Sequence, residues 1–259
     1  MPGYVGGTLE TKLVSLFPGN EEHGIPTHQA LIAVFDADTG TPAALLDGTY
    51  ITAMRTGASA AVAARTLARE DASVLAVLGA GVQARSHLAT LTLVRSFDEI
   101  RIANRSPEKA RKLADEVGAT AVHSFEEAVR GADVVCACTH SAEPVLDREW
   151  LAPGTHVSSV GASQEGPELD AETVRAGLLA VESRIAFEPP PAGSIELQGL
   201  EPEAAVEVGE VLSGSRAGRT SADQITVYKS MGHAVEDAAA AALVLERARA
   251  ESAGVEVEL

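Results

Sequence analysis

A glycine-rich turn between an apolar run and a helix-like run restricts the fold of this chain more than any other feature. The apolar run covers residues 73–78, and the sequence Gly-Ala-Gly-Val-Gln-Ala follows at residues 79–84. Gly79 permits a tight turn, Gly81 lets the backbone approach a pyrophosphate, and Ala84 lets helix and strand pack closely. The helix N-terminus offers amide donors and a partial positive charge to phosphates. This order of elements predicts a dinucleotide-binding site rather than a small-residue turn without a ligand.

Strand-like and helix-like runs alternate around and after this turn. We expect strands at residues 73–78, 99–103, 120–122, 133–138, 155–160 and, as the last one, 178–182, and helices at 82–94, 107–117 and 124–130. The alternation is typical of a Rossmann-type, doubly wound parallel sheet. Hydrophobic residues make up 46% of the chain and aromatic residues only 3%, so the core must consist mainly of Ala, Val, Leu and Ile.

The two ends of the chain follow a different pattern. Strands are predicted at 11–16, 30–36 and 42–46, with a hairpin turn at 36–40, and helices at 56–68, 202–212 (short, within loops) and 233–250. The helix at 56–68 is expected to follow a corner at Arg55-Thr56-Gly57. The layout predicts an α/β protein in which a Rossmann domain, residues 69–213, is inserted in a discontinuous α+β domain, residues 1–68 plus 214–259.

The net charge of −17, from 37 acidic and 20 basic residues, argues against two classes of partner. Such a field repels nucleic acid and anionic membranes. No apolar run reaches the ~18 residues of a membrane span, and the first residues lack the pattern of a signal peptide. Cys136 and Cys138 cannot form a disulfide framework. These observations predict a cytoplasmic protein.

Cys136, Cys138 and His140 alternate along a predicted strand, which superficially resembles a metal site. A central parallel strand is buried on both faces, however, and free cysteine behaves there as a small hydrophobic residue. No acidic or histidine cluster accompanies the three residues, so we expect no metal site.

The tip of the second Rossmann strand indicates which dinucleotide is bound. In NAD enzymes an acidic residue at this place accepts hydrogen bonds from the adenine ribose. Here the strand ends in Ala103-Asn104-Arg105-Ser106, without a carboxylate. Arg105 can face a 2′-phosphate and Ser106 can donate to it, which favours NADP(H) over NAD(H). The alternative is a solvated arginine at a loop tip.

Lys12 and Arg55 stand in otherwise apolar or small-residue surroundings, at a strand and at a helix start. Two cations that converge from such places suit the carboxylate of an amino or imino acid. Two unrelated, solvated cations would give the same pattern, and the residues alone leave both readings open.

Several stretches together resemble one known family over nearly the whole chain. They are Lys12 with residues 17–20, then residues 26–30, 46–48, 54–57, 79–84 and 160–163, and residues 226–232 with 236–237. The chain resembles the ornithine cyclodeaminase/μ-crystallin family, whose members include cyclodeaminases of ornithine and lysine, an archaeal type of alanine dehydrogenase, and reductases of cyclic ketimines.

The resemblance implies a homodimer of two-domain subunits that binds NAD(P)(H), with the discontinuous domain serving substrate binding and dimerisation. By position, Lys12 and Arg55 would hold the substrate carboxylate, and Met231 and Gly232 would lie near the nicotinamide and the substrate. The resemblance also implies a set of cofactor contacts: Thr27, Arg55, Val82, Gln83, Asn104, Arg105 and Thr139.

One departure from the family bears on the reaction. Cyclodeaminases carry an aspartate after the small-residue pair that follows the fifth strand, and it serves as the acid and base for the amine. This chain has Ser163 there, as the ketimine reductases do. A serine hydroxyl is no base near neutral pH without an activating partner. Cyclisation of ornithine is therefore disfavoured, and reduction of a preformed C=N bond, which needs a hydride and one proton, is favoured.

The leading expectation is thus an NADP(H)-dependent reductase of a carboxylated cyclic imine, with NAD(H) possible and with Lys12, Arg55 and Ser163 at the reaction centre. Two alternatives stay open: an enzyme like alanine dehydrogenase or ornithine cyclodeaminase, and an NADP(H)-binding protein without turnover. Family members usually carry several dozen residues before the segment matching residues 1–3, including strands of the dimer sheet and another substrate arginine. The sequence as given begins after that segment.

Overall fold

The computed structural model describes residues 1–161 and 166–257, apart from the side chain of Glu21. The chain divides into two compact units, Met1–Arg55 with Gly232–Leu259 and, between them in sequence, Thr56–Met231. The domain boundaries expected after residues 68 and 213 stay a prediction. None of the helices in the described part has both the length and the apolar character that a membrane span needs.

The first unit contains an antiparallel sheet and a long helix. Its described strands pair in sequence order: β1 (Pro2–Val5), β2 (Thr8–Leu16), β3 (His28–Asp36) and β4 (Pro42–Asp47). The long helix is α7 (Ala234–Ala250), and the unit also holds the first eight residues of α1 (Gly48–Leu67). Ile32 and Val34 on β3 form the core of this unit with Ile51 of α1 and Ala241 of α7. The hairpin turn expected at 36–40 joins β3 to β4, as predicted.

The opposite face of this sheet is apolar and exposed. Leu13 and Leu31 lie directly opposite each other on β2 and β3 and are 62% and 42% exposed. Leu45 on β4 is 70% exposed. The sheet therefore presents leucines on a face that nothing in the described part of the first unit covers.

The second unit is a parallel sheet with helices. Its strands are β5 (Val74–Leu78), β6 (Glu99–Ala103), β7 (Thr120–Ala121), β8 (Val134–Ala137), β9 (His156–Ser159), β10 (Leu178–Val181), β11 (Ala205–Glu207) and β12 (Thr226–Lys229). Its helices, besides the remainder of α1, are α2 (Val82–Val94), α3 (Pro107–Val117), α4 (Phe125–Val129), α5 (Ala171–Val174) and α6 (Val208–Leu212). Single turns of 3-10 helix occur at Arg148–Trp150, Arg184–Phe187, Ile195–Leu197 and Pro202–Ala204, and in the first unit Pro18–His23 is also 3-10.

The strand order confirms the predicted doubly wound sheet. Among the described residues the eight strands pair in parallel in the order β11-β10-β12-β9-β8-β5-β6-β7. The run β7-β6-β5-β8-β9 is the 3-2-1-4-5 order of a Rossmann sheet, and the order reverses between β5 and β8.

Both faces of the central strands are buried, because side chains alternate along a strand. On β5, Leu75 and Val77 join one hydrophobic cluster, and Ala76 and Leu78 join another. Cys136 and Cys138 are buried free thiols, and burial raises the pKa of Cys136 to about 12. Both therefore behave as small apolar side chains, as predicted for a strand buried on two faces.

The predicted corner at Arg55-Thr56-Gly57 is wrong. Helix α1 starts at Gly48, eight residues before the expected position, and runs through all three residues. A Cβ atom on Gly57 would lie 2.7 Å from the carbonyl carbon and oxygen of Ser86 in α2. Gly57 therefore serves the close approach of two helices and not a turn.

Short strands account for the other corrections. Residues 178–182 do not form the last strand, because β11 and β12 follow, and β12 lies between β10 and β9. The helix expected over 202–212 is reduced to Val208–Leu212, since a 3-10 turn and β11 precede it. Strand β1 was not expected either. Segments of three or four residues are too short for a period to be recognised in sequence.

Candidate functional site

The glycine-rich turn lies where the strand order of the parallel sheet reverses. β5 ends at Leu78, and Gly79 then adopts φ +117°, a conformation that side chains rarely allow. A Cβ atom on Gly79 would lie 2.5 Å from the carbonyl oxygen of Cys138, just after β8. Glycine is thus required both by the turn and by the close approach of the two strand ends. Ligands of open α/β sheets bind in the crevice beyond such strand ends.

Helix α2 begins directly after this turn. Gly81 is its N-cap, in extended conformation (φ −88°, ψ −163°), and provides no side chain to cap the first amides. A Cβ atom on Gly81 would meet no described atom within 4 Å, so the backbone is open to a ligand here. Val82 is exposed, and Gln83 accepts a hydrogen bond from Ser86 through Oε1 (3.3 Å). An uncapped helix N-terminus in an open position suits a phosphate group.

A cationic cavity of about 440 Å³ adjoins the turn. Its described lining consists of Ala80, Gly81, Arg85, Asn104, Arg105, Ser106, Lys109 and Lys112. The structure brings Asn104, Arg105 and Ser106 together with Gly81, as expected for a nucleotide site. Four of the eight lining residues are cations, although the whole chain carries a net charge of −17. Such a concentration of positive charge favours a polyanionic ligand.

Three of these cations were missed in the sequence. Arg85 lies on α2, while Lys109 and Lys112 are three residues apart and therefore on one face of α3. Arg85 also forms an ion pair with Glu116 of α3. The sequence could have indicated Lys109 and Lys112, because a helix that starts just after the end of β6 presents its first turns to the crevice beyond that strand.

Ser106 has a structural role in addition to the expected contact with a 2′-phosphate. Its Oγ caps α3 by accepting a hydrogen bond from the backbone amide of Lys109 (3.4 Å). Asn104 donates from Nδ2 to the carbonyl oxygen of Ser106 (3.2 Å). These bonds fix the loop that carries Arg105.

Lys12 and Arg55 converge in the first unit. Lys12 Nζ lies 2.6 Å from Asp237 Oδ2, and Arg55 Nε donates to Asp237 Oδ1 (3.0 Å). Arg55 Nη1 also donates to Glu236 Oε2 (2.8 Å), and Lys12 Nζ donates to Thr52 Oγ1 (3.4 Å). The sequence left two interpretations of Lys12 and Arg55 open, and the one with two unrelated, solvated cations is therefore wrong.

Burial changes the protonation equilibria of this cluster. The pKa of Lys12 is lowered, chiefly by burial and next by the positive charge of Arg55, while Asp237 and Glu10 oppose the shift. His28, on β3, has its pKa lowered by burial and then by Lys12 and Arg55, so its imidazole is neutral near pH 7. The surroundings of Lys12 and Arg55 are thus partly dehydrated, which strengthens their attraction for an anion.

Glu10 belongs to the same cluster and was missed in the sequence. It lies two residues before Lys12 on the same face of β2, and only 1% of it is exposed. Burial, and then the negative charge of Asp237, raise the pKa of Glu10 to about 7, against the opposing charges of Lys12 and the Met1 amino group. Glu10 pairs across the sheet with Gly3, where a Cβ atom would lie 2.5 Å from Glu10 Oε1. Glycine at position 3 therefore makes room for this carboxyl group.

The other residues expected at the site are distributed over both units. Thr27 accepts a hydrogen bond from the Phe17 amide through its carbonyl oxygen, and a Cβ atom on Gly232 would collide with the Arg55 guanidinium, both in the first unit. In the second unit, Met231 donates its amide to Glu182 Oε2 (3.2 Å). Ser163 lies outside the described residues.

Thr139 belongs to a buried polar network at the ends of β8, β9 and β12. Its amide and hydroxyl donate to Glu168 Oε1 (2.7 and 2.6 Å), and Glu168 Oε2 accepts from the Gly161 amide (2.7 Å). Lys229 Nζ donates to the Gly161 carbonyl (2.6 Å) and pairs with Glu196 Oε1 (3.0 Å). This network, which the sequence did not reveal, ties together the loops after three parallel strands.

Comparison with known proteins confirms the family expected from the sequence. Residues 1–252 match the ornithine cyclodeaminase/mu-crystallin family. The ketimine reductase mu-crystallin of Mus musculus is 42% identical over 251 residues, which cover 95% of this chain and 79% of that protein.

Two solved structures resemble this chain closely. The Delta(1)-pyrroline-2-carboxylate reductase of Thermococcus litoralis, in complex with NADH and L-proline, gives a TM-score of 0.89 at 36% identity and covers 96% of this chain and 81% of its own. An archaeal alanine dehydrogenase dimer with bound NAD gives a TM-score of 0.90 at 31% identity and covers 100% and 83%. Matched over most of its length in both sequence and structure, the chain belongs to the ornithine cyclodeaminase/mu-crystallin family.

Proposed function

We propose that this chain is an NAD(P)H-dependent reductase of a cyclic imine that carries a carboxylate, of the 1-pyrroline-2-carboxylate type. The observation that carries the proposal is the convergence of Lys12 and Arg55 on the two oxygens of one carboxylate, Asp237. Lysine has three N–H donors and arginine five, so such a pair can hold a substrate carboxylate beside a structural one. The family relationship to a pyrroline-2-carboxylate reductase supports the same substrate class.

The second unit fits a dinucleotide. Gly79 permits the tight turn, Gly81 leaves space for a pyrophosphate at the N-terminus of α2, and the cavity beside them is cationic. A bound NAD(P)H supplies a hydride to the imine carbon. The C=N bond becomes a C–N bond, the ring nitrogen takes up one proton, and the products are a cyclic amino acid and NAD(P)⁺.

The residues of the chain bind and orient the substrate in this scheme. The positive charges of Lys12 and Arg55 hold the carboxylate, and the planar fork of Arg55, fixed by Asp237 and Glu236, orients it. Ser163 at the reaction centre stays a prediction from the family resemblance, and imine reduction needs no strong base there because the proton comes from water or from a protonated imine. Gly232 supports this arrangement, since any side chain there would displace the Arg55 guanidinium.

NADP(H) is the preferred cofactor in this proposal. Arg105 lies in the cavity with Arg85, Lys109 and Lys112. A 2′-phosphate adds about two negative charges that NAD(H) lacks, and four nearby cations attract them.

We propose that a second copy of this chain is its partner. We also propose that the protein is located in the cytoplasm. The exposed leucines of β2, β3 and β4 form a sheet face suited to pairing with another sheet. The related archaeal alanine dehydrogenase is a dimer. The buried free thiols of Cys136 and Cys138 fit a reducing compartment. Light scattering on the purified chain tests the dimer, and a monomer at micromolar concentration would contradict it.

The reaction is tested by following NADPH oxidation with two matched substrates, 1-pyrroline-2-carboxylate and 1-pyrroline, which lacks the carboxylate. We expect the carboxylated imine to be reduced with a kcat/KM higher by about two orders of magnitude, since two charge-assisted contacts are lost without it. Equal kcat/KM values would refute the carboxylate site. Ammonia release from ornithine, or oxidation of alanine, at rates that match imine reduction would indicate a cyclodeaminase or an alanine dehydrogenase instead.

Arg55→Lys tests the role of the guanidinium. The change keeps the charge but removes the planar fork, so we expect kcat/KM for the carboxylated imine to fall at least tenfold, as roughly expected for one lost charge-assisted bond. Arg65→Lys, at an exposed position on the same helix, is the matched control. Unchanged kinetics of Arg55→Lys would show that Arg55 does not orient the substrate.

A further inference from the structure

Glu10 is a buried acid that the proposed reaction does not use. Neither of its carboxyl oxygens has a hydrogen-bond partner among the described residues, although only 1% of Glu10 is exposed. A buried ionised carboxylate without hydrogen bonds costs several kcal/mol in general, so such a group either becomes neutral or has a function.

The charged groups that act on Glu10 directly are Asp237, Lys12 and the amino group of Met1, and Arg55 is linked to them through Asp237. Lys12 lies on the same strand, and α7 contributes Asp237 and Glu236, which pair with Lys12 and Arg55. The titratable and charged groups around Glu10 from the elements packed here are Lys12 on β2, Arg55 on α1, Asp237 and Glu236 on α7, His28 on β3 and the amino group of Met1 before β1.

The charge of this cluster depends on Glu10. With Lys12 and Arg55 positive and with Asp237, Glu236 and Glu10 ionised, the five side chains carry a net charge of −1. Protonation of Glu10 brings the net charge to zero. Since His28 is neutral near pH 7, it does not alter this balance. The amino group of Met1 adds the same positive charge to both states, so an anionic substrate binds more favourably when Glu10 is neutral.

We propose that Glu10 is a positioning residue that couples binding of the substrate carboxylate to uptake of one proton. Neutral Glu10 leaves Lys12 and Arg55 to the substrate, whereas ionised Glu10 competes with the substrate carboxylate for Lys12. The inference rests on the proposed function only in that Lys12 and Arg55 are taken to bind a carboxylate.

The protonation equilibrium of Glu10 falls in the range where such coupling is effective. Burial and Asp237 raise its pKa to about 7 in the unliganded chain. A substrate carboxylate adds another negative charge and raises the pKa further, and by reciprocity protonation strengthens carboxylate binding. Above about pH 7 the dissociation constant for a carboxylate should therefore rise towards roughly tenfold per pH unit.

Calorimetry with pyrrole-2-carboxylate tests the coupling, because this planar five-membered-ring carboxylate does not titrate near neutral pH. Heats measured in buffers of different ionisation enthalpy give the number of protons taken up. We expect about half a proton per carboxylate near pH 7 and close to one near pH 8.5 for the unmodified chain. Glu10→Gln should take up none near pH 7, and the matched control Glu22→Gln, at an exposed position in the same unit, should behave like the unmodified chain.

The pH dependence of affinity that remains in Glu10→Gln separates the effect of Glu10 from that of Lys12. In Glu10→Gln the loss of affinity around pH 7 should vanish, while a loss at higher pH from deprotonation of Lys12 remains. With 1-pyrroline-2-carboxylate, KM of the unmodified chain should begin to rise near pH 7, whereas KM of Glu10→Gln should rise only at the higher pH at which Lys12 loses its proton. A merely structural role of Glu10 would change stability or kcat but would leave the pH profile of KM in place.

The outcomes distinguish the coupling from the proposed function. A carboxylate that binds without proton uptake, or proton uptake that persists in Glu10→Gln, overturns the role of Glu10 and leaves the substrate site intact. Failure of any ring carboxylate to bind at any pH overturns the substrate site and the coupling together. If Glu10→Gln does not fold, infrared difference spectra of the unmodified chain near pH 8 decide: the carbonyl band of a protonated carboxyl group must appear when the ligand binds, and its absence overturns the coupling.

Discussion

The cationic cavity beside the glycine-rich turn leads to a quantitative prediction for cofactor choice. Arg105 follows β6 at an exposed position and lines the cavity with three other cations. Arg105→Ala removes one charge-assisted contact to a 2′-phosphate, which is worth about 1.5–3 kcal/mol. Affinity for NADPH should then fall by about ten- to a hundredfold, and affinity for NADH should be unchanged because NADH has no phosphate at that place.

The surroundings of Arg105 narrow the expected loss of NADPH affinity. Arg85, Lys109 and Lys112 remain in the variant and continue to attract the phosphate. Arg105 is exposed, so salt screens its contribution, with a Debye length of about 8 Å at physiological ionic strength. We therefore expect about a tenfold loss in physiological salt and a larger one in dilute buffer.

Fluorescence titration of both reduced cofactors at two salt concentrations measures these effects. Arg111→Ala is the control, since Arg111 is exposed on α3, outside the cavity lining, and its removal changes the net charge equally. Equal losses for NADPH and NADH in Arg105→Ala, or equal affinities of the unmodified chain for the two cofactors, would refute the reasoning.

Three further predictions concern stability, measured by urea unfolding. Gly57→Ala favours the helix by about 1 kcal/mol, but its Cβ atom would lie 2.7 Å from the Ser86 backbone; overpacking should dominate and give a net loss of stability. Glu10→Gln should become more stable relative to the unmodified chain as pH rises from 5 to 8.5, by up to about 3 kcal/mol. The reason is that a carboxyl group whose pKa is raised from 4.5 to about 7 by folding loses its stabilising contribution over that interval. A difference in unfolding free energy between the two chains that does not change with pH would contradict this. Lys229→Met leaves Glu196 buried without its cation and should cost about 3–5 kcal/mol. The double variant with Glu196→Leu should recover only part of this loss, because the Glu168 amide then lacks its acceptor.

Where local chemistry determines structure, the sequence was sufficient. Helix α3 has its predicted bounds, and the structure shows why local signals sufficed: Ser106 caps it, Pro107 suits its first turn and Gly118 ends it in a left-handed conformation (φ 70°). The glycine-rich turn was predicted for the same reason, since its order of strand, glycines and helix is contiguous in the chain. The family and fold class followed from such contiguous signals.

Long-range contacts account for what was missed. β12 is a four-residue strand whose central place in the sheet depends on pairing with β9 and β10, and its buried Lys229 looks unsuitable for a core. The lysine is tolerated because Glu196, 33 residues earlier, compensates its charge. Gly57 was wrongly predicted to lie at a corner, because the group that requires a glycine there, the backbone of Ser86, lies on another helix. A single sequence does not show which distant residue satisfies a given one.

The substrate cluster illustrates how packing turns ordinary residues into a site. Along β2, Glu10 and Lys12 alternate with Leu9, Thr11 and Leu13, which in sequence alone is equally compatible with a solvated pair of opposite charges. The helix α7 covers this face of the strand and brings Asp237 to Lys12, and it also brings Asp237 to Arg55, 182 residues away. Asp237 then takes both cations as partners, and Glu10 is left buried without one. Two cations that share one buried carboxylate still attract an anion, and an acid that is buried beside them can yield its charge by taking up a proton. Packing of one helix on one strand thus creates both the proposed anion site and the group that would regulate it.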